Sequence, residues 1–208
     1  MRRANQEEIE QLLETLPPEE KNTKFAKGAH NLWVRFHNYG RHDPWVLEDN
    51  GQIVAVCHIT VLKKQDYANL YEIYTIPNSE GKGYASKLYW EIMEHLAHTY
   101  PDIRLKMSCT PTSIGWHYRN GIIGYGVDPS GSIRVDVPIA PTKEEQLAVR
   151  ESWRSNLASV LPPLKSQDKL LKENPTFGVK KTEQVIQSIQ TMGQYYLREE
   201  IQHREGAK

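Results

Sequence analysis

Hydrophobic and polar positions alternate along the chain in a way that predicts a mixed α/β protein. Near the start, Ile9, Leu12 and Leu16 recur at helical spacing, the pattern of an amphipathic helix with one buried face. Asn5 and Glu8 have the spacing of a capping box, in which each side chain accepts the other residue's backbone N–H. The further predicted elements follow in chain order: a short helix at 19–26, a hairpin at 44–62, a strand at 70–76, a helix at 85–99, a strand at 103–109, a short helix at 113–120 and a hairpin of strands at 122–127 and 132–137.

The hairpin at 44–62 is marked by its turn. Asn50 and Gly51 stand between two runs rich in β-branched and aromatic residues. A type I′ turn needs positive φ at both central residues, and Asn-Gly is the pair that meets this need most readily. The sequence therefore predicts two antiparallel strands joined at this point.

A glycine-bearing turn joins the strand at 70–76 to the helix at 85–99. Gly81 and Gly83 lack Cβ atoms, so the backbone there can adopt positive φ and can approach a ligand closely. The first turn of the helix presents backbone N–H groups and the positive end of the helix dipole. This order of elements indicates an anion site suited to a diphosphate, although glycines at this spacing also serve plain tight turns.

The residues around this turn resemble motif A of the Gcn5-related N-acetyltransferase family. In that motif a strand, an Arg/Gln-x-x-Gly-x-Gly/Ala turn and a helix hold the pyrophosphate of acetyl-CoA. In register, Glu80 takes the Arg/Gln position, Gly83 the central glycine and Ala85 the last small position. The resemblance implies that Thr75 and Ile76 pair through their backbone with the pantetheine arm. It also implies a set of diphosphate-binding residues: Glu80, Gly81, Lys82, Gly83, Tyr84, Ala85 and Ser86.

Glu80 is a departure from the family pattern. A carboxylate beside a diphosphate repels it unless the side chain turns to solvent or pairs with Lys82. The family's contacts at this turn come largely from backbone amides, so the departure bears on affinity for the cofactor more than on the fold.

The resemblance and the order of elements together predict the fold. We expect a mixed central sheet of the acetyltransferase fold with flanking helices over residues 1–140, and a helical carboxy-terminal extension over 141–208. Thr142 and Glu145 form a second capping box, and 182–203 is predicted to be a long terminal helix. The extension packs on the domain, pairs with another copy or docks a partner, and the sequence leaves these alternatives open.

Composition narrows the classes of function. Lys and Arg together number 26, as do Asp and Glu, so the formal net charge is zero. A net charge of zero disfavours a globally basic nucleic-acid binder.

Cys57 and Cys109 lie far apart in apolar runs, which predicts reduced core thiols without a disulfide framework. His95 and His98 match no metal-ligand pattern, so we expect no metal. Without an apolar signal core or a run of membrane-spanning length, the chain is predicted to be cytoplasmic.

The resemblance implies that an amine attacks acetyl-CoA directly, which requires a proton acceptor. Glu72 lies on the strand before the glycine turn, and regular alternation places it on the same face as Tyr74. Several family members keep a basic carboxylate on this strand, so Glu72 is the candidate general base. The alternatives are an ion pair at the rim and removal of the proton through water. His58 on the preceding strand is interpreted as a core or rim histidine.

A second motif, Ile114-Gly-Trp-His-Tyr-Arg-Asn-Gly121, resembles the family's Phe-Tyr-x-Lys-x-Gly-Phe element. Counted back from Gly121, His117 takes the place of the tyrosine that often protonates the leaving thiolate. Histidine suits an acid role because its ordinary pKa lies near neutrality. A shift of one residue would give the role to Tyr118 instead, and both side chains also fit a packing or acceptor-site role.

The resulting hypothesis is an acetyl-CoA-dependent N-acyltransferase with a small-molecule or protein amine as acceptor and a possible homo-oligomer through its carboxy-terminal helices. A second hypothesis rests on the run from Lys24 to Trp45, which mixes cations with rings. This combination binds phosphates and stacks bases, as in an acyltransferase acting on a nucleic-acid base or tRNA, but we favour the alternative of a core-facing aromatic row with solvated charges. A third is a non-catalytic binding or structural protein whose cofactor site has degenerated at Glu80.

Overall fold

The fold is a mixed sheet flanked by helices, as the sequence predicts. The computed structural model describes residues 1–22, 26–27, 44–62, 64, 66–127, 130–158, 169, 172–173 and 182–192. Within these residues seven strands make up the sheet. The chain divides into two compact units, Met1–Arg104 and Leu105–Lys208. The predicted boundary at residue 140 stays a prediction.

The first unit holds four strands in the order β1-β2-β3-β4, all antiparallel. Its elements are β1 (Arg2–Arg3), α1 (Gln6–Thr15), a 3₁₀ helix (Glu20–Asn22), β2 (Trp45–Asp49), β3 (Gln52–Leu62), β4 (Tyr67–Thr75) and α2 (Tyr84–Thr99).

The capping box and the hairpin turn predicted for the first unit are both present in the structure. Asn5 and Glu8 close the capping box of α1 through two hydrogen bonds of 2.8 and 2.9 Å. Asn50 and Gly51 adopt φ of 51° and 76°, the two positive values of a type I′ turn. β4 begins three residues earlier than predicted, because Asp66 at φ 51° turns the chain so that pairing with β3 starts at once.

The two faces of this part of the sheet are covered by different helices. Val56 and Cys57 are consecutive in β3 and so point to opposite faces. On the first face Val56 belongs to a buried cluster with Ile9 of α1. On the second face Trp45, the cross-strand neighbour of Cys57, lies 5.2 Å from His95 of α2 between ring centroids. Helices α1 and α2 therefore shield opposite sides of β2 and β3.

The second unit holds three strands in the order β5-β7-β6. Its elements are β5 (Arg104–Cys109, whose first residue ends the first unit), α3 (Ile114–Arg119), β6 (Gly126–Val127), β7 (Ile133–Pro138), α4 (Lys143–Ala158) and helical residues 182–192. The predicted strand at 122–127 is wrong for 122–125. There Gly124 lies so close to β7 that an added Cβ would meet Ile133 at 2.3 Å. Tyr125 donates its N–H to the Arg134 carbonyl at 2.9 Å, but the regular ladder to β7 holds only Gly126 and Val127.

Helix ends in the second unit follow the sequence. Helix α3 stops at Gly121, which has φ 76°, and Ile122 donates its N–H back to the His117 carbonyl at 3.0 Å. Thr142 and Glu145 form the capping box of α4. Of the predicted terminal helix, 182–192 is helical and the remainder lies outside the described residues.

Both cysteines lie in the interior of the protein. Cys57 and Cys109 are both free and buried, as expected. Burial raises the pKa of Cys109 to about 12 and raises that of Cys57 further still, so both thiols stay protonated and are poor nucleophiles. Among the described helices, none is both long and apolar enough to cross a membrane.

A buried glutamine ties α4 to the residues before it. Gln146 is 1% exposed; its Oε1 accepts from the Ala140 N–H at 2.8 Å, and its Nε2 donates to the carbonyls of Pro138 and Gly121 at 3.1 and 3.3 Å. Further along, Ser188 donates its hydroxyl to the Gly131 carbonyl. Within the described residues, the extension thus contacts the loops that precede it.

Replacing Gln146 with methionine is expected to lower the free energy of unfolding by about 3 kcal/mol, because three backbone groups, two of them in buried hydrogen bonds, lose their partner while side-chain volume is kept. Urea denaturation measures the change. Lys143→Met, an exposed substitution on the same helix, is the control. A Gln146 variant as stable as this control would contradict the expectation.

Candidate functional site

The glycine turn between β4 and α2 has the backbone geometry of an anion cradle. Gly81 and Gly83 adopt φ of 77° and 78°, the left-handed region that favours glycine. The N–H of Lys87 donates to the Gly83 carbonyl at 3.0 Å as the first helical bond of α2. The amides of residues 84–86 therefore precede the helical ladder and lie at its positive end.

The space beside the turn is open. A Cβ built on Gly81 or Gly83 meets no atom within 4 Å, so their conformation, and not crowding by the protein, is what calls for glycine. Of the predicted cofactor-binding residues, the structure places seven together on this turn: Glu80, Gly81, Lys82 and Gly83, which are exposed, and Tyr84, Ala85 and Ser86, which are half-buried. An open stretch of backbone at a helix start fits a diphosphate.

Glu80 is exposed on the turn. Its carboxylate keeps its water, and solvent ions screen its charge. Lys82 does not approach it in an ion pair among the described contacts; its Nζ lies 5.9 Å from the centroid of the Tyr84 ring. Repulsion of a diphosphate by Glu80 is therefore weakened by solvent.

Tyr84 connects the turn to the first hairpin, a contact that sequence reasoning missed. Its hydroxyl donates to the carboxylate of Asp49, the last residue of β2. This hydrogen bond raises the pKa of Tyr84, because the carboxylate favours the protonated phenol. The contact fixes the first residue of α2 relative to β2, and nothing local in the sequence indicates it.

Thr75 and Ile76, the two residues predicted to pair with a pantetheine arm, differ in how their backbone groups are hydrogen-bonded. Ile76 donates its N–H to the Val54 carbonyl at 2.9 Å and accepts from the Ser79 N–H at 3.0 Å. Hydrogen-bonded and non-hydrogen-bonded pairs alternate along an antiparallel ladder. The neighbouring pair, Thr75 and Ala55, is thus not hydrogen-bonded, and the polar backbone groups of Thr75 point away from β3. The geometry suits Thr75 better than Ile76.

Glu72 lies in a polar group on the face of the sheet that α1 covers. It is the cross-strand neighbour of His58 on β3, beside a β-bulge at Tyr71. The Tyr74 hydroxyl, on the same face, donates to the Glu72 carboxylate. Burial first, and this hydrogen bond second, raise the pKa of Tyr74 well above its ordinary value. The predicted shared face of Glu72 and Tyr74 is thus observed. Sequence reasoning missed that Tyr74 donates to Glu72 and that His58 stands opposite Glu72.

The other two predicted catalytic residues lie on α3 in the second unit. His117 is 7% exposed, and its Nδ1 has no hydrogen-bond partner among the described residues. Burial lowers the pKa of His117 from 6.5 to about 4, so the imidazole is neutral at pH 7. A neutral imidazole is a poor proton donor, and this weakens the reason for preferring His117 as the acid.

Tyr118 is held from α4 by a residue that sequence reasoning did not single out. The Arg150 guanidinium lies 4.3 Å from the centroid of the Tyr118 ring and donates to the Tyr118 carbonyl at 3.0 Å. Arg150 also pairs with Glu151, which in turn pairs with Arg154 at 2.8 Å. The ring of Tyr118 is therefore fixed from one side by a cation.

The buried imidazole predicts a pH dependence of stability. The unfolded chain protonates His117 near pH 6.5, whereas the folded protein does so near pH 4. The contribution of this neutral imidazole to the free energy of unfolding is therefore fully present above pH 6.5, and it is lost as the pH falls from 6.5 towards 4. We expect wild type to lose about 2 kcal/mol more than His117→Gln between pH 7 and pH 5. Denaturant titrations at both values test this, and parallel losses in the two proteins would refute it.

The metal prediction and the cation-rich run have different outcomes in the structure. No group of three or more His, Cys, Asp or Glu side chains in the described part of the chain could hold a metal ion. The cation-rich and ring-rich run ahead of Trp45 lies outside the described residues, apart from exposed Lys27 and the short stretch that begins at Pro44.

Comparisons with known proteins converge on one family. The sequence profile of the acetyltransferase (GNAT) family matches residues 7–122. No curated protein matches the sequence significantly.

Solved structures of the same kind resemble this fold. A chimera of the spermidine N-acetyltransferase SpeG from Vibrio cholerae and hSSAT aligns with a TM-score of 0.51 at 12% identity, over 70% of this chain and 96% of its own. A GNAT acetyltransferase from Desulfovibrio desulfuricans gives 0.50 at 15% identity, over 67% and 98%. The PaiA N-acetyltransferase from Thermoplasma acidophilum, in complex with coenzyme A, gives 0.48 at 14% identity, over 65% and 95%.

Proposed function

Because the chain belongs to the acetyltransferase (GNAT) family, we propose that it transfers an acetyl group from acetyl-CoA to an amine acceptor by direct attack of the amine. The observation that carries the proposal is the turn between β4 and α2. Two glycines at positive φ leave open space beside the first amides of the helix, and this arrangement binds phosphate oxygens. Acetyl-CoA supplies the acetyl group as an activated thioester.

The turn and β4 would hold the two ends of the cofactor's arm. The amides that open α2 donate to the diphosphate, and the bond between Tyr84 and Asp49 keeps the first of them in place. The backbone of Thr75, directed away from β3, pairs with the pantetheine. Held at both ends, the thioester is presented to the acceptor at low entropic cost.

Glu72 would remove the proton from the attacking amine. Its carboxylate lies on the face covered by α1, where the acceptor would enter, and the Tyr74 hydroxyl bonded to it orients it. Transfer of the proton to Glu72 leaves a neutral amine, which can attack the thioester carbonyl.

Tyr118 would return a proton to the leaving thiolate. We favour it over His117, because burial keeps His117 neutral near pH 7, whereas a phenol carries its proton there. The ring contact with Arg150 holds Tyr118 in one orientation.

Two measurements on the purified protein test the proposal. Calorimetry with acetyl-CoA and with CoA reports cofactor binding. Release of free thiol from acetyl-CoA is then followed with polyamines, aminoglycosides and peptides bearing free amino groups, the acceptor classes used across the family. Binding together with thiol release that requires an acceptor is the expected result. Absence of binding would overturn the proposal. It would favour a non-catalytic protein of this fold, in which Glu80 replaces the Arg or Gln of the family's cofactor turn.

A further inference from the structure

The pairing register of β3 and β4 brings three polar side chains together. Glu72 stands directly opposite His58, and directly opposed residues of antiparallel strands have Cβ atoms about 5 Å apart. Tyr74 lies two residues along on the same face, and its hydroxyl donates to the Glu72 carboxylate. The bulge at Tyr71 follows immediately and sets the angle at which Glu72 leaves the strand. A carboxylate, an imidazole and a phenol thus share one small area.

This polar group lies in a largely apolar setting. His58 is 3% exposed, and both its ring nitrogens are enclosed, as is Oε2 of Glu72. On the facing helix, Leu12 and Leu13 pack against the same cluster that Tyr74 borders. The charge of Glu8 on that helix is already engaged by Arg2 at 2.6 Å.

Such a setting is unfavourable for an ionised carboxylate. Burial favours the protonated form, whereas hydrogen-bond donors favour the charged form. A base must start in the charged form, so Glu72 can serve only if nearby donors hold its charge. Tyr74 is one such donor, and its raised pKa keeps it protonated at any working pH. His58 is a second polar side chain on this face, and the register places it directly opposite Glu72.

We propose that Tyr74 and His58 are positioning residues for the reaction, which act through Glu72 by holding its carboxylate charged and aimed at the acceptor. The inference rests on the proposed acetyl transfer and adds to it the residues that make Glu72 a base. Neither residue touches the reacting atoms in this scheme.

A double-mutant cycle tests the role of Tyr74. Tyr74→Phe removes only the hydroxyl and is expected to lower kcat about tenfold with unchanged CoA affinity, since one hydrogen bond to a charged group is lost. In a Glu72→Gln background the same substitution should change kcat less than twofold, because its effect passes through Glu72. Tyr67→Phe, the same change near the other end of β4, is the matched control and should leave kcat unchanged.

The role of His58 is tested by two substitutions of different chemistry. His58→Gln keeps a side-chain donor and is expected to retain most of the activity, whereas His58→Leu removes it and should lower kcat about tenfold. An imidazole needed only for packing would give the reverse order, because leucine suits an apolar surrounding and an amide does not. Denaturation midpoints of both variants show which order holds for stability.

The outcomes separate this inference from the function beneath it. If wild type is active and Glu72→Gln is slow, equal effects of Tyr74→Phe in both backgrounds would overturn the inference and leave the proposed function intact. If His58→Leu were as active as His58→Gln, His58 would not be a positioning residue for Glu72. A wild-type protein that binds CoA yet acetylates no amine would overturn the proposed function, and this inference with it.

Discussion

Replacing Gly83 with tryptophan is expected to abolish CoA binding in a protein that still folds. Gly83 has φ 78°, and an added Cβ meets no protein atom within 4 Å. The substitution should therefore destabilise the fold only through the cost of positive φ for a non-glycine residue, about 1–2 kcal/mol. The indole would occupy the space beside the first amides of α2, and losing two charge-assisted hydrogen bonds there would weaken binding at least about 100-fold. Calorimetry with CoA measures the change.

Gly51 offers a matched control for this experiment. It has φ 76° in the first hairpin turn, and an added Cβ there also meets nothing within 4 Å. Gly51→Trp should lose a similar amount of stability and keep its affinity for CoA. Gly83→Ala should fall between wild type and Gly83→Trp. If both tryptophan variants bound CoA equally well, the turn would not be the diphosphate site.

Elements that depend on neighbouring residues were predictable from the sequence. The capping boxes at Asn5 and Thr142, the Asn50-Gly51 turn and the stop of α3 at Gly121 each formed as expected. Each depends on backbone conformation or a hydrogen bond within a few residues. For the same reason the glycine turn could be located without any knowledge of the tertiary structure.

Features that join distant segments were not predictable. The pairing of His58 with Glu72 depends on register and on a bulge, and a shift of one residue would have moved Glu72 to the other face. The contacts of Gln146 reach back 25 residues to Gly121. Neither relation has a local signal, because it exists only once the strands and helices have packed.

The pKa of His117 could not be predicted from the sequence either. The argument for His117 as an acid used the ordinary pKa of histidine, whereas burial lowers its pKa to about 4. Burial is a property of the packed structure. The motif therefore indicated two candidate acids on α3, whereas the choice between His117 and Tyr118 depends on surroundings that a motif does not contain.

The Glu72→Gln variant is expected to bind CoA as wild type does and to turn over about 100-fold more slowly. Glutamine keeps the volume of the side chain and an acceptor for the Tyr74 hydroxyl, so the packing under α1 should be preserved. What is lost is the ability to take a proton from the amine. Thiol release at saturating acetyl-CoA gives kcat, and calorimetry gives the affinity. Glu94→Gln, the same change at an exposed position of α2, controls for loss of one carboxylate.

The pH dependence of this variant identifies the cause of the loss. Without a base, only acceptor molecules that are already neutral can attack, and below the pKa of the amine their fraction rises about tenfold per pH unit. The residual rate of Glu72→Gln should rise with that slope, whereas wild type should depend on pH less steeply because Glu72 takes the proton itself. Identical slopes and equal rates in the two proteins would mean that the proton leaves through water, and that Glu72 is a structural carboxylate on β4.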